Sequence, residues 1–144
     1  MSVFTCPIRI YWEDTDAGGI VYYANYFRFM ERARTEWLRS LGLEQETLRS
    51  EHSIMFVVVS AAAEFHRPAR YADVVQATCQ VQKSTSASLT LQQDILRSGD
   101  AAMLVSGIVR VACLDATNLR PRTLPPWLSE LLAVPTEDRP GGNR

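Results

Sequence analysis

Between residues 23 and 41 the apolar side chains Tyr26, Phe27, Met30, Ala33, Trp37, Leu38 and Leu41 recur three and four positions apart, and Arg28, Glu31, Arg32, Glu36 and Arg39 fill most of the gaps. That is the period of an amphipathic helix, and Gly42 follows as its stop. Its apolar stripe is wide and built from large side chains, so it needs a broad surface to bury against. Nothing else in the chain has this pattern at such length. What the rest supplies is strands, and a sheet wrapped around the single long helix is the arrangement that satisfies both.

The strands are legible from period two. Over 7–13, Ile8, Ile10 and Trp12 share one face while Arg9 and Tyr11 share the other, which predicts a strand half in water. Four more runs follow, at 54–65, 74–83, 88–96 and 103–114. In the third, Leu89, Leu91 and Ile95 alternate with Thr90, Gln92 and Asp94, the mark of antiparallel pairing with one wet face. Ser98-Gly99-Asp100 reads as a hairpin turn, 44–51 as a short helix, and Pro125-Pro126-Trp127-Leu128 as the opening of a last one. The expected fold is α+β, an antiparallel sheet curled around one central helix, in a single domain over 1–133 with a polar, disordered tail over 134–144. One sheet with one helix leaves an edge open. A homo-oligomer is therefore expected, a homodimer at least and more readily a tetramer.

Composition removes several classes of function. With 15 basic and 16 acidic side chains in 144 residues, no excess of positive charge favours nucleic acid as a partner. The first residues lack the basic start and apolar run of a signal peptide, and no later run is long enough to insert in a bilayer, so a cytoplasmic location is expected. Cys6, Cys79 and Cys113 lie far apart, without metal-ligand spacing, and only His52 and His66 could join them. Neither a metal site nor a disulfide framework is expected.

The chemistry-bearing stretch is Glu13-Asp14-Thr15-Asp16-Ala17-Gly18-Gly19-Ile20-Val21-Tyr22-Tyr23-Ala24-Asn25-Tyr26. It is a carboxylate-bearing loop that passes through two glycines into the start of the long helix. A helix start presents N–H groups without internal partners and the positive end of its dipole, which suits a developing oxyanion. A carboxylate beside it can act as base or nucleophile toward a carbonyl. The same residues also suit a purely structural role, the acids as caps and the glycines as a tight turn.

The run RIYWEDTDAGGIVYYANYFRFMERARTEWLRSLG, with the pattern D-x-D-x-x-G and a helix carrying E-x-A-R, closely resembles the opening of the 4-hydroxybenzoyl-CoA thioesterase family. It is most similar to the YbgC-like branch associated with the Tol-Pal system. Phe65-His66-Arg67-Pro68-Ala69-Arg70-Tyr71-Ala72-Asp73 resembles the family's F-x-x-P-A-x-Y-x-D segment. The resemblance spans residues 7 to 125 and implies the hotdog fold and hydrolysis of a short-chain or aromatic acyl-CoA, with coenzyme A as part of the substrate and no separate cofactor. It makes Asp16 the catalytic acid, nucleophile or general base. Gly19 is then the motif glycine, and Tyr23 the residue whose backbone N–H polarises the thioester carbonyl. Much of the YbgC-like branch carries histidine at Tyr23; tyrosine there is closer to the aromatic-acyl enzymes and bears on acyl preference. Asp14 is expected to hold the loop, Asn25 to bond loop backbone, and His66 to have no catalytic part.

For the phosphates of coenzyme A, the basic and hydroxyl side chains of Lys83, Ser84, Ser86, Arg120 and Arg122 are the candidates. Two rivals remain open. A hotdog dehydratase or hydratase would want a histidine at the helix start, where this chain has none. A non-catalytic acyl-binding or cell-envelope-associated protein would share the fold without the reaction.

Overall fold

The sheet runs β1 (Phe4–Arg9), β3 (Val74–Ser84), β4 (Ser88–Gln92), β6 (Met103–Asp115), β2 (Ile54–Phe65) with every pairing antiparallel, so the strand that follows the helices in sequence ends at the far edge from β1. The computed structural model describes residues 3–134. In chain order the elements are β1 (Phe4–Arg9), a 3-10 turn (Trp12–Asp14), α1 (Asn25–Ser40), α2 (Gln45–His52), β2 (Ile54–Phe65), β3 (Val74–Ser84), β4 (Ser88–Gln92), β5 (Ile95–Arg97), β6 (Met103–Asp115) and α3 (Pro126–Leu131). Among the described residues this is the expected hotdog arrangement, with α1 packed on the inner face of the sheet. The tail expected over 134–144 lies, apart from Val134, outside the described residues.

Two strands differ from expectation, for identifiable reasons. β1 starts at Phe4 and stops at Arg9 rather than covering 7–13. Beyond Arg9 the backbone leaves the ladder: Ile10 N–H donates to Asp73 O at 2.8 Å, and Ile10 O accepts Ala72 N–H at 3.0 Å. The chain then turns through Trp12–Asp14, which leaves Trp12, expected on the buried face, 74% exposed. The run at 88–96 is two strands, not one. It breaks at Gln93-Asp94, where Asp94 N–H donates to the Thr78 hydroxyl instead of to a ladder carbonyl.

That break serves the helix. Gln93 is fully buried and lies on the inner face. Its Nε2 donates to the Met30 carbonyl of α1 at 2.9 Å and to the Thr78 carbonyl at 3.3 Å, while its Oε1 accepts from Arg34 Nη1 at 3.0 Å. A buried amide satisfied this way fixes α1 against the sheet, since a slip would strand its polar atoms. Beside it, Met30 lies over Gly107 of β6. A Cβ on Gly107 would fall 2.6 Å from Met30 Cε and 2.8 Å from the Gln93 carbonyl oxygen. Phe29, Met30 and Ala33 are sealed from solvent, together with Ile95, Leu104 and Val105 of the sheet.

Among the described residues β2 is bonded on one side only, to β6. Its 12 residues carry an irregularity in register between Val58 and Ser60, and there Val58 and Val59 are 47% and 48% exposed.

Candidate functional site

Residues 14–22 form a tight hairpin pinned at both ends. Thr15 bridges Val21, Asp16 N–H donates to Ile20 O at 2.9 Å, and Gly19 N–H donates to Asp16 O at 3.0 Å. Gly19 has φ +78°, a conformation that favours glycine, so the turn explains its presence. Gly18 lies close under the acid: a Cβ there would sit 3.2 Å from Asp16 Oδ1 and press on the carboxylate.

The two acids of the loop separate by role. Asp14 Oδ2 accepts the Tyr11 N–H at 2.8 Å, and its carbonyl accepts both Tyr22 N–H and the Asn25 amide at 2.9 Å. Asp14 therefore ties strand exit, hairpin and helix start together, and Asn25 bonds loop backbone as its position implied. Asp16 is exposed. Its Oδ1 accepts Gly18 N–H at 2.8 Å, and among the described residues no other donor holds the carboxylate. One oxygen is thus oriented by the backbone and the other is open to a ligand or water.

α1 begins at Asn25, whose N–H already donates to Tyr22 O. The N–H groups of Tyr23 and Ala24 precede it and make no hydrogen bond among the described residues. Two free donors at a helix start are the arrangement that can receive a negatively charged oxygen. The site is walled by rings. Tyr23 lies 5.0 Å from Tyr22 and 6.1 Å from Phe65 between centroids, and Phe65 lies 5.8 Å from Tyr26. Tyr26 is buried, its phenol raised above the usual range mainly by that burial, and its hydroxyl accepts the Ala69 N–H at 3.1 Å. With Val21 N–H on Ala69 O at 2.9 Å and Ile20 bridging Arg70, the segment after β2 is the outer support of the hairpin.

The candidates for coenzyme A phosphates gather elsewhere. Lys83 and Ser84 end β3, Ser86 O accepts Leu124 N–H at 2.8 Å, and Arg122 N–H donates to Cys113 O at 3.1 Å. Lys83, Ser84, Ser86 and Arg122 therefore share one end of the sheet, with Arg120 in the same connecting segment. Arg122 Nη1 donates to the carbonyl of His52 at 3.1 Å, so that guanidinium already caps α2. Asp73, at the foot of β3, touches the strand that leads to the Asp16 hairpin, and Ser84 is at the other end. Ten residues of strand put roughly 33 Å between those ends within one copy. Phe65 stands in the sequence as the opening of the F-x-x-P-A-x-Y-x-D segment, without a role at the site, and Gln93 carries no motif. Gln93 had a signal: it occupies an inner-face position between Leu91 and Ile95.

The profile of the thioesterase-like superfamily matches residues 10–132. An acyl-CoA thioesterase YbgC of Haemophilus influenzae is 39% identical over 85% of this chain and 88% of its own length. An acyl-CoA thioester hydrolase YbgC of Escherichia coli O157:H7 is also 39% identical, over 86% of this chain and 91% of its own. Among solved structures, a probable thioesterase from Bartonella henselae superposes with TM-score 0.81 at 31% identity, covering 86% of this chain and all of that one. Fold, loop and kinship converge: the chain belongs to the thioesterase-like superfamily, as a thioester hydrolase of the hotdog fold.

Proposed function

We propose that the protein hydrolyses acyl-CoA thioesters at the Asp16 hairpin. The observation that carries this is an exposed carboxylate with one oxygen fixed by Gly18 N–H, on a hairpin leading directly to the free N–H groups of Tyr23 and Ala24. The thioester carbonyl oxygen sits on the Tyr23 N–H, which stabilises the charge that develops there. As general base, Asp16 takes a proton from water while the water oxygen bonds to the carbonyl carbon. The tetrahedral intermediate then expels the coenzyme A thiolate, which takes up the proton. As nucleophile, the same carboxylate displaces the coenzyme A thiolate to form a mixed anhydride, and water then opens it, freeing the acid and restoring Asp16; the thiolate takes up a proton released in that hydrolysis. Both routes use Asp16, and neither calls for a metal or separate cofactor. The exposed rings of Tyr22, Tyr23 and Phe65 favour short or aromatic acyl groups over long chains. A cytoplasmic location beside the acyl-CoA pool belongs to the same reading; among the described residues no helix is long and apolar enough to cross a membrane.

A homo-oligomer completes the site. The open edge of β2 can pair antiparallel with β2 of a second copy, crossing near Val59, midway along Ile54–Phe65. The Ile54 end of one copy then meets the Phe65 end of the other. His52 and Ser53, with Arg122 bonded to their carbonyls, precede Ile54, so the basic and hydroxyl cluster of one copy comes to the Asp16 hairpin of its partner. A thiol-release assay over short aliphatic and aromatic acyl-CoAs tests the reading. Wild type should turn over, and Asp16→Asn should lose about 1,000-fold or more while still binding a non-hydrolysable analogue. A folded Asp16→Asn protein with a near-normal rate would overturn it.

A further inference from the structure

Apart from the Asp16 hairpin, a cavity of about 160 Å³ opens between α1 and the inner faces of β2, β4 and β6. It lies well down the helix from the Asp16 hairpin: Arg34 is nine residues beyond Asn25, or about 13 Å along the axis. Its walls are Trp37, Phe56, Leu89, Leu91 and Val111, with Arg34 among them and the exposed Glu31 at its rim. That volume corresponds to about five waters at liquid density, room for a carboxyl group with a short hydrocarbon or a single ring.

Arg34 is the unusual member. Its guanidinium is half-buried against apolar walls, and among the described residues no carboxylate lies within ion-pair distance of it. Burial lowers its pKa, with the charge of Glu31 opposing that shift from the solvent side. The hydrogen bond to Gln93 Oε1 at 3.0 Å fixes one Nη. Gln93 in turn is held by two backbone carbonyls, so the guanidinium is oriented by a relay that starts in the helix backbone. A cation that is partly desolvated, oriented and in no direct ion pair, with Glu31 acting on it only from a distance, is a prepared seat for an anion.

We propose that this cavity binds a small carboxylic acid, its carboxylate on Arg34 and its hydrocarbon against Phe56, Leu89 and Leu91. The carboxylate can come from two sources: a free acid, such as the product of thioester hydrolysis, or the distal carboxyl of an acyl group reaching the cavity from a second copy. The second source rests on the function proposed above; the first does not.

The direct test follows the Arg34 Nε–H resonance by NMR in the full-length protein during titration with benzoate and with benzamide, its neutral isostere. Benzoate should shift the resonance saturably and bind at least about tenfold more tightly than benzamide, as expected for a charge-assisted pair. In Arg34→Met, where that resonance is lost, isothermal titration calorimetry should find benzoate no tighter than benzamide. Should this variant fail to fold, the two ligands on wild type still decide, because the reporter is the arginine itself. Equal affinities, or no saturable shift, would overturn the proposal whether or not the protein hydrolyses anything. Glutaryl-CoA against pentanoyl-CoA then separates the sources. A preference for glutaryl-CoA that Arg34→Met removes would support the acyl source, and benzoate inhibition without such a preference would support the free acid.

Discussion

At the residue scale the hairpin assigns different work to neighbours that sequence leaves alike. Asp14 and Asp16 are two apart, so in extended chain they point the same way, and spacing alone gives no reason to choose between them. In the structure each carboxylate accepts one backbone N–H, but Asp14 is half-buried and its carbonyl ties down Tyr22 and Asn25, whereas Asp16 is exposed. At Tyr23 the proposed donor is backbone, so the side chain and the amide hydrogen should separate under mutation. Tyr23→Phe and Tyr23→His should hold the chemical step within about tenfold, while Tyr23→Pro should cost on the order of 100-fold, the usual scale for a lost oxyanion donor. Tyr23 lies outside α1 and its N–H bonds nothing among the described residues, so proline there removes no backbone hydrogen bond and the variant is expected to fold. Single-turnover rates on all three variants decide; equal losses in the Phe and Pro proteins would move the role to the side chain. The motif residues Asp16, Gly19 and Tyr23 were visible as a pattern in the chain, but Gly18 and Gly19 looked equivalent. Only the structure shows that Gly19 turns the chain while Gly18 lies close under a carboxylate oxygen.

At the element scale, α1 is held by a close approach and a buried amide. Gly107 leaves no room for a side chain beneath Met30, and one of the two obstructing atoms is the Gln93 carbonyl oxygen, which belongs to the backbone. Gly107→Ala should therefore destabilise the protein by about 1–3 kcal/mol, the range for an overpacked core. Adding Met30→Ala should recover only part of that loss, because the carbonyl stays. Urea unfolding of the single and double variants checks both statements; full recovery would mean the methionine alone sets the limit. The helix and most strand positions could be read from periodicity, with β2 matching residue for residue. The single strand expected over 88–96 could not, because its alternation hid a polar residue at an inner position. Gln93 faces the core to meet helix carbonyls, and that demand comes from tertiary structure, which local pattern does not carry.

At the scale of the whole molecule, the β2 edge is the feature that asks for a partner. Long unpaired edges are normally blunted, yet this one presents Val58 and Val59 with no charge between Ile54 and Ala63. Val59→Lys should shift the protein toward a particle near its chain mass of 16.2 kDa and lower its turnover in step. Light scattering and thiol release on one sample test this, and a dimer that persists unchanged would place the interface elsewhere. That an edge must exist was legible in the chain. Which strand forms it was not, because strand order depends on pairings far apart in sequence, and for the same reason the distance from Lys83 to Asp16 was hidden. Those remote pairings also have a consequence in time. Among the described residues β2 bonds only to β6, with Phe65 opposite Val105 and Ile54 opposite Asp115, separations of 40 and 61 residues. At about 5–20 residues per second of synthesis, β2 emerges roughly 2–12 s before its partner strand exists. During that interval every nascent chain exposes IMFVVV without a neighbour. The yield of folded protein should therefore depend on how quickly the ribosome delivers the last third of the chain.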